Sequence, residues 1–337
     1  MPVGEKWWNP YRFVPLKNEP VKRGKPANHG ELSGLIGVIS CRLTALTPIV
    51  VGQNFFIRRN GIPCIPGTSL KGVIRSICEI VANGCSIVDS ADEQHSKCWE
   101  SNNLCTTCQM FGFVNKGNSY QGNVSISDAL LKRSPRDHRN WEKEVIGLSS
   151  PKITHKPFYG KERNKIKIYH HQAGKTRISN EHLFPRNSKM KRIVEVAPAG
   201  SEFMFDVEFR NLTNTQLDFL LYALVLEPEM AHKVGGARPL GAGSSKIDIE
   251  IITLNEGRAM YMGEPERVFT GQTAMDFVNE RTKNIRADKS ETMEALRVLM
   301  LFDKNSRKKF QYPNHLWFAD KDNSQKRLRT WREFAER

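Results

Sequence analysis

Between Leu32 and Cys78 the chain carries no Asp or Glu. Metal-assisted hydrolysis needs a carboxylate to hold or position the ion, so this stretch supplies no such centre. Long apolar runs are also missing. None approaches the roughly 18 to 20 residues that span a bilayer. The opening MPVGEKWWNPYRFVPL lacks an apolar stretch of signal-peptide length. A soluble, cytoplasmic protein without a membrane partner is the expectation. The seven cysteines are odd in number and no export signal accompanies them, which argues against a disulfide framework. The glycine-rich run near the end of the body lacks the GK[ST] ending of a P-loop.

The 337 residues suffice for one large domain or two ordinary ones with a substantial core. Hydrophobic residues make up 39% and charged residues 26%, the balance of a globular chain. Lys and Arg number 51 against 36 acids, a net charge of +15. Such an excess favours a polyanionic partner, because each cation placed on a phosphate releases condensed counterions. By itself it does not separate RNA from DNA or from a membrane surface. The excess is concentrated. From Lys132 to Arg192 there are 17 Lys/Arg and 5 Asp/Glu. A solvated basic loop is the plain reading, and a phosphate-tracking surface is the sharper one.

Residues 1–30 read as an N-terminal arm. Gly34 to Leu46 alternates as a strand, with Leu35, Ile39, Cys41 and Leu43 on one face and Ile36, Val38, Ser40, Arg42 and Thr44 on the other. A loop rich in proline and glycine follows. Thr68 or Ser69 can then cap a helix to about Ala82, with Val73, Ile74, Ile77, Ile80 and Val81 as its apolar face. Cys41 and Cys78 sit in apolar patterns and read as small core residues. Gly122 to Leu131 and Arg192 to Arg210 read as strands, and Gln216 to Leu226 as an apolar helix. GGARPLGAGSSKIDIEII is a glycine-rich loop running into a strand. Residues 266–337 read as a basic helical extension, with Phe277, Leu296, Leu299 and Phe302 as its core.

Three segments together carry a family resemblance. They are GLIGVISCRLTALTPIVVG (Gly34 to Gly52), IPCIPGTSLKGVIRS (Ile62 to Ser76) and GGARPLGAGSSKI (Gly235 to Ile247), with MFGF and GNVSISDA between them as a weaker fourth element. In order and spacing, over about residues 30 to 255, they resemble the RAMP superfamily of CRISPR effector backbone subunits. The resemblance implies an α+β fold, a modified RNA-recognition-motif (ferredoxin-like) body with a four-stranded antiparallel sheet and helices on one face. It implies a protruding thumb β-hairpin, placed within about residues 150–192 of a body spanning residues 31–265. It further implies a guide RNA (crRNA) and a complementary target RNA as partners, further copies of the chain stacked along the guide, and other CRISPR effector subunits.

The residues support an RNA surface on their own chemistry. Ser69 can donate to a phosphate, while Lys71 and Arg75 bring charge to the same helix end, where free N–H groups and the dipole favour anions. An ordinary capped surface helix is the alternative. Gly241 and Gly243 allow close backbone approach to phosphate, flanked by Lys233, Arg238 and Lys246. Arg42 lies on the outer strand face. Within the basic segment Phe158, Tyr159 and Tyr169 alternate with Lys161, Arg163, Lys165, Lys167 and His170. These aromatics either stack on bases or anchor the hairpin to the body or a neighbour.

His95, Cys98, Cys105 and Cys108 are spaced H-x2-C-x6-C-x2-C within an insert at residues 83–110. Such a set suits structural, tetrahedral zinc, with Cys85 as a spare that could replace His95. Some relatives carry a zinc knuckle in a similar place. In target-slicing relatives the catalytic aspartate lies in the loop after the first strand. That loop here, about Val50 to Pro66, has no acid. A non-catalytic scaffold with no catalytic residue, served by a separate nuclease as in type VII systems, is therefore the expectation. Asp89, Asp92 and Glu93 lack any motif, and Asp128 reads as structural. The alternatives are a ribonuclease of the same superfamily, including metal-free cleavage by His170 and His171, and a general single-strand RNA binder.

Overall fold

The structure, a computed structural model, describes residues 9–85, 94–148, 156–159, 164–183, 188–303, 310–313 and 315–335. In chain order the principal elements are β1 (Tyr11–Pro15), β2 (Leu35–Ala45), β3 (Ile62–Ile65), α1 (Gly67–Val81) and α2 (Thr106–Phe111). There follow β4 (Ala129–Arg133), β5 (Lys143–Gly147), β6 (Lys165–Tyr169), β7 (Lys191–Glu195), β8 (Glu202–Leu212) and α3 (Asn214–Val225). The last are β9 (Ser244–Glu256), β10 (Arg267–Thr270), α4 (Gly271–Ala287) and α5 (Glu291–Met300). The α+β class is as expected, and the sheet is larger than four strands.

β2 lies at the centre, antiparallel to β8 on one side and β9 on the other. Its alternation places Ile39, Cys41 and Leu43 wholly inside, as their spacing predicts. Phe203, Phe205, Val207 and Phe209 of β8 and Ile247, Ile249, Ile252 and Leu254 of β9 line the same inner face. A register shift between Ile249 and Ile251 keeps the second half of β9 in phase. Beyond β8 the sheet continues through β4 and β3 to a short strand at Arg58–Arg59, while β10 and His232–Lys233 pair with β9. Among the described residues this sheet has nine strands.

Helix α1 covers the inner face with Leu70, Ile74, Ile77, Cys78 and Val81, spaced three and four apart. It begins at Gly67, and neither Thr68 nor Ser69 caps it. Asp128 does so from outside, accepting the Gly67 N–H at 2.8 Å. That bond, and then the pairing with Arg59, hold the Asp128 carboxyl below its ordinary range. Helix α3 carries a Thr213–Gln216 capping box and is buried nearly all round.

The N-terminal arm is more ordered than its composition predicts. β1 pairs with β6 along its whole length, and Val14 is fully buried. The C-terminal helices also join the main core, through Val278, Leu296, Leu299 and Phe334. β5 and β7 form a separate two-stranded ladder at the base of the predicted thumb segment. Much of that segment (149–155, 160–163, 184–187) lies outside the described residues. Among the described residues no helix is long and apolar enough to cross a membrane.

Glu195 of β7 holds the acid-free loop in place. Its carboxylate takes both terminal nitrogens of Arg58, at 2.6 and 2.9 Å, and the Phe56 N–H at 2.8 Å. Burial alone would raise this carboxyl, but the Arg58 and Phe56 hydrogen bonds bring it below its ordinary value. A depressed acid contributes stability that is complete above its unfolded pKa and is lost as pH falls through the folded one. Glu195→Ala should therefore cost about 1–3 kcal/mol at neutral pH, from the buried donors it strands. The mutant should also lose less stability than wild type between about pH 6 and 3, as read by urea midpoints.

Candidate nucleic-acid interface and metal centre

A groove of ≈470 Å³ opens where three distant segments meet. Ser69, Gly72 and Ser76 present the small face of α1. Lys167 and Tyr169 come from β6, and Lys233, Gly236 and Arg238 from the glycine-rich loop. A side chain at Gly72 would meet nothing within 4 Å, so packing does not demand glycine there. Ser69, Gly72 and Ser76 are spaced three and four apart, which puts them on one face of the helix.

The loop reaches the groove through a zipper to the chain leaving β2. Gly243 N–H donates to Pro48 O and Gly236 N–H to Val50 O, both at 2.8 Å, and Thr47 Oγ1 donates to Gly241 O at 2.9 Å. Gly241 N–H bonds Arg238 O. The Gly236, Gly241 and Gly243 amides, expected to approach a phosphate, are thus hydrogen-bonded within the chain. The glycines are needed for close approach. At Gly243, where φ is +83°, an added Cβ would lie 2.1 Å from Val234 O, and at Gly235, where φ is +79°, 2.2 Å from Val50 O.

Cations sort into two groups. Arg238 lies over the Tyr169 ring, 5.0 Å from its centroid, at the groove. Lys167 Nζ sits 3.7 Å from the Tyr11 centroid and 5.1 Å from that of Tyr169. Lys233 is buried, donates to Ala242 O at 2.8 Å, and is pushed down to about 7, first by burial and then by Arg238. Lys71 and Arg75, expected at the same phosphate, point elsewhere. Lys71 Nζ donates to Val124 O at 3.0 Å. Arg75 binds Glu79, Gly112 O and, at 3.5 Å, Cys108 Sγ. The α1 N–H end itself is occupied by Asp128. Arg42 pairs with Glu250 at 3.0 Å on the outer sheet face, and Lys246 lies opposite Thr44 on that face.

The basic-segment aromatics serve as anchors. Phe158 is buried 5.5 Å from Trp317. Tyr159 packs on Phe13 and Tyr11, at 5.5 and 6.1 Å between centroids. Lys165 covers Phe13 at 4.6 Å. His170 is buried between Phe310 and Phe334, stacked at 4.6 and 4.4 Å, so it presents no ring to a base. His171 is buried with both ring nitrogens engaged, by Ser244 Oγ and Ala231 O, and burial first of all lowers its pKa well below the ordinary value. Lys161 and Arg163, with Asp89, Asp92 and Glu93, lie outside the described residues.

A second constellation gathers four sulfurs. Cys85, Cys98, Cys105 and Cys108, each at most 2% exposed, place their Sγ atoms within 4.8 Å of one another. Cys85 lies 3.5 Å from Cys108 and 3.9 Å from Cys98. A tetrahedron with metal–sulfur bonds near 2.3 Å has edges of about 3.8 Å, so the spacing fits an ion with modest adjustment. Cys85 takes the place expected for His95, whose Nε2 instead meets Asn83 Oδ1 at 3.0 Å. Chain distance concealed this, since Cys85 stands apart from the tight Cys98–Cys108 run. Hydrogen bonds from Cys105, then Cys108 and Cys85, draw the Cys98 thiol far down, and the Cys105 N–H supports the same sulfur at 3.3 Å. Such a buried set could hold a metal ion, and thiolate chemistry is compatible with zinc.

An antiparallel α+β body with a basic groove and a buried four-thiol cluster defines the class of protein. The model of the RAMP superfamily matches residues 42–246, more than half of the chain, and the chain belongs to that superfamily. No curated protein matches. Similar solved structures include the Csm3-Csm4 subcomplex of a type III-A CRISPR-Cas interference complex, at 17% identity and TM-score 0.38, covering 77% of this chain and 98% of that one. Thermofilum pendens Csc2 is 12% identical with TM-score 0.36, covering 78% and 81%. A chain of a type IV-B CRISPR complex is 18% identical with TM-score 0.39, covering 63% and 90%.

The ligand assignment is testable by elemental analysis. Purified wild type should carry one zinc per chain, His95→Ala should retain it, and Cys85→Ser should lose it together with thermal stability.

Proposed function

We propose that this chain is the guide-RNA-binding backbone subunit of a CRISPR effector complex, with copies stacking along the guide to present it for pairing with target RNA. The convergence of α1, β6 and the glycine-rich loop on one cationic groove carries the reading. Arg238 and Lys167 supply charge there, and the open face of α1 leaves room for a sugar–phosphate chain. The segment between β5 and β7, with its Lys/Arg excess, is the thumb of this reading. Cys85, Cys98, Cys105 and Cys108 would hold a zinc ion, whose part there would be structural.

The chain acts without cleaving. The acid-free loop is bordered by Glu195 and Asp128, and both spend their carboxylates on Arg58, Arg59 and backbone N–H groups. A carboxylate so neutralised is a poor metal ligand, so cutting falls to a separate nuclease.

Co-expression with a repeat–spacer array should yield a discrete guide-sized RNA on a multi-copy particle. Incubation with complementary RNA and magnesium should leave that RNA intact, and cleavage would instead favour the ribonuclease alternative. Arg238→Ala should weaken guide binding about equally for all spacer sequences and reduce the salt slope by about 1, whereas Arg42→Ala should change neither.

A further inference from the structure

Arg75 lies on α1 yet takes no part in lining the groove. Its side chain is only 17% exposed. The planar guanidinium meets three different acceptors. Nε donates to Glu79 Oε1 and Nη1 to Gly112 O, both at 2.9 Å, and Nη2 donates to Cys108 Sγ at 3.5 Å. Glu79 stands one turn further along α1, and Gly112 closes the end of α2. One oxygen from each helix thus fixes the plane of the group, and that plane aims the third donor at sulfur.

The two helices also deliver two of the sulfurs. α1 ends with Gly84 N–H bonded to Glu79 O at 2.8 Å, and the next residue is Cys85. A side chain at Gly84 would lie 2.3 Å from Thr107 Oγ1, so α2 approaches closely there with Cys108 in its middle. Four thiolates hold two more negative charges than a divalent ion neutralises. That excess is costly away from water, and donors aimed at the sulfurs lower the cost. The Cys105 N–H serves Cys98 in this way. A guanidinium N–H serves Cys108 more strongly than a neutral amide would. Glu79 offsets the cationic charge, so what reaches the sulfur is a directed N–H bond and not a free cation. A lysine ammonium lacks the rigid fork that meets three acceptors in one plane.

We propose that Arg75 is a positioning residue for the thiol cluster, which fixes Cys108 as a ligand to a thiophilic divalent cation and restrains the reactivity of its sulfur. A thiolate held by such a bond gives its electrons to an electrophile less readily. The inference rests on the metal reading of the four cysteines, while the contacts of Arg75 stand without it.

The test uses the full chain with cobalt(II) in place of zinc, so that sulfur-to-metal charge transfer is read in the near ultraviolet. Arg75→Met should move that band to lower energy, because a sulfur that loses an N–H bond releases electrons more easily. It should also weaken zinc retention against a chromophoric chelator about ten- to a hundredfold. Alkylation by iodoacetamide, located by mass spectrometry, should quicken at Cys108 more than at Cys98, whose amide donor is untouched. Arg75→Lys should shift the band in the same direction, since charge without the fork does not restore the bond. Ile74→Val, a core truncation on the same helix, should leave the band and the Cys108 rate at wild-type values, which separates positioning from general loosening. If Arg75→Met fails to fold, Glu79→Gln keeps the arginine, weakens its hold on Nε, and should give a smaller shift in the same direction. An unmoved band in the Arg75 variants, or equal quickening at Cys98 and Cys108, overturns the positioning role and leaves the metal reading intact. A wild-type chain that takes up neither metal overturns the metal reading, and the role of Arg75 with it.

Discussion

The hydrogen-bonded position of β2 between β8 and β9 is the constraint on which the rest of the molecule depends. A strand paired on both sides has one face to bury and one to leave open, and its alternating sequence commits Ile39, Cys41 and Leu43 to the inside. Helices α1 and α3 then have only one face to cover. The same pairing brings the chain leaving β2 beside the chain entering β9. There Thr47, Pro48 and Val50 zip to Gly236, Gly241 and Gly243. The groove is a consequence of that zipper, because it carries Arg238 to within reach of α1 and β6.

Charge follows the same geometry. At the groove Arg238 and Lys167 lie by the Tyr169 ring, whereas Arg42 on the sheet pairs with Glu250. Arg75 links the two constellations. Its backbone belongs to the groove helix and its guanidinium reaches Gly112 O and Cys108 Sγ, so the cysteine segment and α1 are tied together. Buried thiolates near one another are costly without a cation, which gives the guanidinium a reason to be there.

Much of this was legible in residue order. The period-2 pattern of β2, the 3.6-residue pattern of α1, the cysteine run and the family motifs each act over short chain distances, and each lies where its pattern predicts. Where the surroundings differ from the expectation, one cause is shared. Ser69, Lys71 and Arg75 read as a phosphate site because they neighbour one another in sequence, yet Asp128, Val124 and Cys108 approach from elsewhere and claim the helix end and two of the side chains. His170 read as an RNA contact because cations surround it in the chain, but Phe310 and Phe334, far downstream, enclose it.

The sequence by itself determined the strand and helix faces, the cationic segment, the family and the presence of a thiol cluster, since these depend on local periodicity, composition and spacing. Only the tertiary structure decided which cations remain available, which fourth sulfur completes the cluster, and that the N-terminal residues form a strand under the basic segment. Those outcomes turn on partners brought together across tens to hundreds of residues. A side chain's chemistry is set by what surrounds it in space, and chain order does not state that.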